Sequence, residues 1–234
     1  MSDLEAAAEK ADLIVKMRSF MSWIGQGRKL TQTGRIRMDD ARYLVEFLGT
    51  RDQIDPEVDG QVFKTKSSDQ LAYLTKIVEW SKAARLARVT GGRIVQDKEY
   101  THLLDEPLNL VLALLVVFPR LGKSLFPTSD WRQSLVGDEF EDIGPELLEA
   151  LLASNGPCPL SELNDIAYGV IADGYTVGRL TQQQRDTQQR IIAHDVVIAM
   201  AALHMLGIVV LNRPKDGDPA DDTAELSDLG QYAI

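Results

Sequence analysis

One cysteine, three histidines and a 6% aromatic content are the scarce features of this 234-residue chain. A lone Cys158 can close no internal disulfide and build no thiolate cluster, which suits a reducing compartment, so a cytoplasmic location and no bound metal are expected. Long apolar runs are also missing. The most apolar stretch, LNLVLALLVVF at 108–118, falls short of the ~20 residues that a bilayer core needs, and it reads as a buried helix with no membrane role. The opening MSDLEAAAEKAD lacks the basic-then-apolar order of a signal peptide. No nucleophile elbow, paired-cysteine motif, P-loop or dinucleotide fingerprint occurs, so neither enzymatic activity nor a cofactor is expected. His194 and His204 stand ten residues apart on one predicted helix, about 15 Å, too far to share a metal; core or edge roles suit them and His102 better. The aspartates 216, 218, 221 and 222 resemble a calcium loop in composition only.

Positive charge is scarce overall, with a net charge of -10, but it is unevenly placed. Residues 1–100 carry 17 Lys and Arg against 15 acids, whereas residues 101–234 carry 8 against 20. The two halves therefore face different partners, or the second is a solvated acidic surface. The densest basic stretch is Lys64 to Lys98, with eight cations and three acids.

Internal repetition carries the most information. LTQTGRIRMDDARYLVEFL (30–48) lies over LASNGPCPLSELNDIAYGV (152–170) without gaps, and IVEWSKAARLARV (77–89) lies over VIAMAALHMLGIV (197–209), apolar position on apolar position. Two copies of one supersecondary unit explain this pattern. Each copy reads as a leading helix (11–25; 145–154), a short extended piece (GRIR; GPCP), a second helix (38–48; 161–172), a long third helix (68–86; 181–206) and a hairpin. Asp39 and Ser161 are candidate caps for the second helices. Both third helices open on a capping-box pattern, Ser67 to Gln70 and Thr181 to Gln184. The adjacent glycines of ARLARVTGGRIV then supply the positive φ of a tight hairpin turn.

Helix, short strand, helix, helix, hairpin is the order of a winged helix. The expected fold class is mainly α with small β-hairpins: tandem winged-helix domains at 1–100 and 141–234, joined by a helical linker at 101–140. In the linker, a helix should begin after Pro107 and stop near Pro119, gluing the copies together or forming a dimer interface, with Trp131 and Phe140 as core-packing anchors of the second copy or anchors for an outside partner. The amphipathic segment LEAAAEKADLIVKMRSFMSWI reads as one helix extended beyond a normal first helix, for added packing or dimerisation.

Residues 28–98, above all LTQTGRIRMDDARYLVEFLGT with LTKIVEWSKAARLARVTGGRIV, resemble an uncharacterised segment of plasmid-type open reading frames from high-GC bacteria. AARLARVTGGRIV and HMLGIVV...AELSDLG are similar to the third-helix-and-wing ends of bacterial winged-helix regulators, which implies DNA binding by a helix-turn-helix and a role in transcription regulation or in plasmid or phage maintenance. In the first copy, however, 49–67 separates helices two and three, where a helix-turn-helix has a turn of about 3–4 residues.

If duplex DNA is the ligand, the first copy offers Lys64, Lys66, Ser68, Gln70, Tyr73 and Lys76 around the third helix and Arg88 and Arg93 on the wing, while the second offers Gln183, Arg185 and Gln188. The aspartates of KDGDPADD make the second wing a poor phosphate reader. The alternative is an adaptor: acidic tandem winged helices are similar to the subunits that clasp kleisins, whose wings and grooves hold peptides. On that reading the acidic half binds a protein partner or a second copy of the chain.

Overall fold

The computed structural model describes residues 2–126, 134–174, 181–214 and 221–234. The chain is mainly helical, with three small antiparallel sheets among the described residues. Its first unit contains α1 (Asp3–Lys10), α2 (Asp12–Ile24), β1 (Arg28–Lys29), α3 (Met38–Phe47), a minor hairpin β2 (Glu57–Val58) and β3 (Gln61–Val62), a 3-10 turn at Ser68–Gln70, α4 (Ala72–Ala83), β4 (Ala87–Thr90) and β5 (Arg93–Gln96). The second repeats the order with α7 (Phe140–Ser154), β6 (Cys158–Pro159), α8 (Leu160–Gly174), α9 (Gln182–Met205), β7 (Val209–Asn212) and β8 (Thr223–Leu226). Helix α10 (Asp228–Ala233) follows.

The duplication extends to the sheets. In the first unit the strand order is β1-β5-β4, and in the second β6-β8-β7, so each short early strand pairs with the last strand of its hairpin. Matched positions share their burial: Trp80 and Met200, and Leu86 and Leu206, are fully enclosed. The β4–β5 turn has Gly91 and Gly92 at φ +55° and +69°, the successive left-handed residues of a tight hairpin, with open space around both.

Four local expectations are corrected. The amino-terminal segment is two helices, not one, because Ala11 is extended (φ -59°, ψ 129°). The break lets Ala11 lie against Gly207 of the second unit, where a glycine Cβ would meet the Ala11 Cβ at 3.2 Å. The first strand is Arg28–Lys29, ahead of GRIR, because that earlier segment reaches β5; Ile36 within GRIR only bridges Leu30. Asp39 lies inside the first turn of α3, whose cap is Arg37, and α8 already starts at Leu160, before Ser161. Finally, the third helix of the first unit does not run from 68: the Gln70 box closes a 3-10 turn, Leu71 is extended, and α4 begins only at Ala72.

Between the units, α5 (Pro107–Val117) starts at its proline and passes into a 3-10 segment, Phe118–Ser124, before α6 (Leu135–Asp138). Together α5 and this segment are long and apolar enough to span a bilayer, yet Leu110, Val111, Leu114, Phe118 and Leu121 are buried. They pack against α1, α4 and α7. The Trp80 indole of α4 donates to the Leu114 carbonyl at 2.8 Å, and Phe118 stacks edge-on to Phe140 of α7, 5.0 Å between centroids. Phe140 is thus a core residue; Trp131 lies outside the described residues. One connected apolar core runs through both units and the linker.

Candidate functional site

The surface singled out by the basic stretch is built by α4, the β4–β5 hairpin and the segments on either side. Helix α4 owes its start to a residue far back in sequence. Its first free amides, Tyr73 N and Leu74 N, donate to the Asp52 carboxylate at 2.9 and 2.8 Å, and Thr50 Oγ1 donates to the same group. The insertion at 49–67 therefore caps the helix it precedes. It is braced by Asp55, which accepts from Thr65 N and Arg42; those bonds hold the Asp55 carboxyl below its ordinary pKa. Sequence reasoning saw only a long loop there, because a carboxylate 21 residues upstream leaves no local capping signal.

That start changes the fate of the expected contacts. Ser68 and Lys76 are buried, at 6% and 7% exposure, so neither can reach a duplex. Gln70 is exposed, but its side-chain oxygen accepts from Lys66 N and Ser67 N. Tyr73 is half-buried, with the Lys76 ammonium 5.3 Å from its ring centroid. No side chain of α4 is exposed: every residue from 72 to 83 is buried or half-buried. Lys64 and Lys66 are exposed on the irregular segment between β3 and the 3-10 turn, as expected.

The candidate residues of the β4–β5 hairpin are exposed and share a face. Register places Arg88 opposite Val95, Thr90 opposite Arg93, and Arg93 opposite Lys29, so Lys29, Arg88 and Arg93 lie on one side of the sheet. Their charge is partly engaged. Arg93 donates to the Gly27 carbonyl at 2.6 Å, and Arg88 stands 3.9 Å from the Asp97 carboxylate. Arg85 similarly faces Glu99 and Tyr100, and Lys82 pairs with Glu79. Of the second unit's candidates, Gln183 is exposed, and Arg185 and Gln188 are half-buried, on the mostly solvent-facing first turns of α9. The capping box at Thr181 and Gln184 forms as read from the sequence. The second hairpin's loop at 215–220, with Asp216 and Asp218, lies outside the described residues.

A small groove of about 60 Å³ runs between α4 and the inner face of the hairpin. Its apolar lining is Leu30, Ile36, Leu74, Val78, Val89 and Ile94. Its charged rim is mutually neutralised, Arg35 with Asp69 at 2.8 Å and Lys82 with Glu79 at 2.6 Å. Val89, half exposed at 50%, sits on β4, an edge strand whose outer side has no neighbour in the sheet. Further exposed apolar side chains belong to the same unit: Tyr43 stacked on Phe47 at 5.3 Å, and Val58, Val62 and Phe63 of the insertion. None of these was singled out from the sequence: Tyr43 and Phe47 sit on a helix, where an exposed apolar residue reads as part of the core stripe, and the insertion read only as a long loop.

Compared with protein-family models the chain matches none, and neither the curated proteins nor the solved structures give a significant match.

Proposed function

We propose that the chain is a tandem winged-helix adaptor without catalytic activity, its units at about 1–100 and 141–234 joined by the helical linker, and that the α4–hairpin groove takes an extended, weakly charged peptide of a partner protein. The observation that carries this reading is the covered state of α4: of the helix that would enter a major groove, five of twelve residues are buried and none is more than partly exposed, while the groove beside it carries six apolar side chains. A recognition helix needs projecting polar side chains at base edges. An extended peptide needs an edge strand for backbone pairing and apolar pockets for alternate side chains. Beta-strand β4 and the Val78–Val89–Ile94 lining supply both, and the paired charges at the rim disfavour a highly charged segment.

The test is selection from a random peptide library on the intact chain. Enriched peptides with spaced apolar residues, whose binding Val89→Asp abolishes and the double change Arg88→Ala, Arg93→Ala leaves intact, are expected. No enrichment, or enrichment indifferent to Val89→Asp, overturns the reading. One observation favours DNA as a second reading, that of a regulator: Lys29, Arg88 and Arg93 share the outer sheet face, where a phosphate backbone could lie. Salt-sensitive duplex binding weakened by Arg93→Ala would carry that alternative.

A further inference from the structure

Lys76 leads to a different site. It projects from α4 into a cleft of about 550 Å³ between the two units, with no lining residue shared with the α4–hairpin groove. From the first unit, Lys16 of α2, Arg51 of the insertion, Tyr73 and Lys76 face the cleft; from the second, His204 of α9 and Arg213 after β7. Four permanent or near-permanent cations thus line a cavity of a chain whose net charge is -10, and the lining holds one acid, Asp12.

The cations are not equally satisfied. Lys16 pairs with Asp12, and the Arg213 guanidinium is anchored by the Asp222 carboxylate at 2.7 Å. Among the described residues, neither Arg51 nor Lys76 has an ion pair or a side-chain hydrogen bond. Lys76 is 7% exposed, so an ammonium sits nearly desolvated with only a tyrosine ring against it. Desolvation lowers its pKa to about 8, with the charge of Asp52 opposing the shift. Burying a cation without a partner is destabilising, and the arrangement becomes favourable once an anion enters. Arginine and lysine together, a fork and point charges, fit phosphate oxygens.

We propose that the cleft between the units binds a small phosphate-bearing polyanion, contacted by Lys76 and Arg51 from one side and by Arg213 from the other. The volume suits a small molecule. Both units contribute to the site, which the shared apolar core holds together.

Isothermal titration of the intact chain with inorganic pyrophosphate, at fixed ionic strength and pH 7, tests this. Saturable binding is expected, weakened about tenfold or more by Arg51→Ala and by Lys76→Met. Lys76→Met keeps its fold, since it removes a buried charge. The double variant Arg88→Ala, Arg93→Ala should bind pyrophosphate unchanged, which separates this site from the outer sheet face. No saturable binding up to about 10 mM, binding equally strong in the Arg51 and Lys76 variants, or loss only in the sheet-face variant overturns the proposal. The peptide selection described above reads a different groove, so either proposal can fail alone.

Discussion

Replacing Lys76 with methionine is expected to stabilise the protein at neutral pH. The folded-state pKa is about 8 against the ordinary 10.5, and the main cause is desolvation of the ammonium. Carrying the charge into the cleft therefore costs about 3 kcal/mol whenever the lysine is protonated in both states. Methionine fills a similar volume with no charge, and losing the contact with the Tyr73 ring offsets about 1 kcal/mol, leaving a net gain of about 2 kcal/mol. The sign is fixed by proton counting. Between pH 8 and 10.5 the unfolded lysine binds a proton that the folded one has released, so wild-type stability rises with pH across that window. The variant's advantage is full below pH 8 and fades to nothing, or reverses slightly, above about 10.5. Other charged or titratable groups near Lys76 are Asp12, Lys16, Arg51, Asp52, Tyr73, His204 and Arg213; subtracting wild type from variant at each pH removes their shared titration. Urea unfolding at pH 7, 9 and 10.5 is the assay. A variant less stable than wild type at pH 7, or a difference independent of pH, refutes the argument that Lys76 is a desolvated, unpaired cation.

Two further substitutions probe how the units are held. Asp52→Ala removes the carboxylate that accepts from Tyr73 N and Leu74 N, and is expected to cost about 1–2 kcal/mol by chemical denaturation; an effect below the error of the fit contradicts the capping role. Gly230→Ala places a Cβ 2.2 Å from the Ile208 carbonyl oxygen, an overlap that only backbone movement can relieve. A loss of roughly 3 kcal/mol or more, with faster hydrogen exchange in α10 and β7, is expected, and a neutral result contradicts the close packing of the carboxy-terminal helix.

Much of the architecture was legible because duplication doubles the signal. Gly34 over Gly156 and Trp80 over Met200 mark equivalent positions, and the period of apolar residues located the helices to within a few residues. The linker helix was announced by Pro107 and by its apolar run. Apart from the shifted caps at Asp39 and Ser161, the misreadings share one cause: they concern ends of elements fixed by distant partners. Asp52 caps α4 from 21 residues away, Gly207 receives Ala11 across the units, and Arg28–Lys29 reaches a strand 65 residues later. None of these contacts leaves a local pattern.

The site was legible only in part. Basic side chains at Lys64, Lys66, Arg88 and Arg93 are at the surface as expected, but helical spacing alone cannot tell a solvent-facing stripe from one covered by another segment. Lys76 shows this most clearly. Counted with the basic stretch in sequence, it turns away from that stretch and into the cleft between the units, so its charge belongs to a different surface from that of the β4–β5 hairpin.

The most direct test of the functional reading is fluorescence anisotropy of a labelled duplex of about 30 base pairs of mixed sequence, titrated with the chain at about 50 mM salt, where non-specific phosphate contacts are strongest. With α4 largely covered and its partly exposed charges Glu79 and Lys82 paired with each other, no binding at micromolar protein is expected. Binding that falls steeply with added salt and is lost in the variant carrying Arg88→Ala and Arg93→Ala contradicts the account and returns the outer sheet face to the role of a DNA-binding surface.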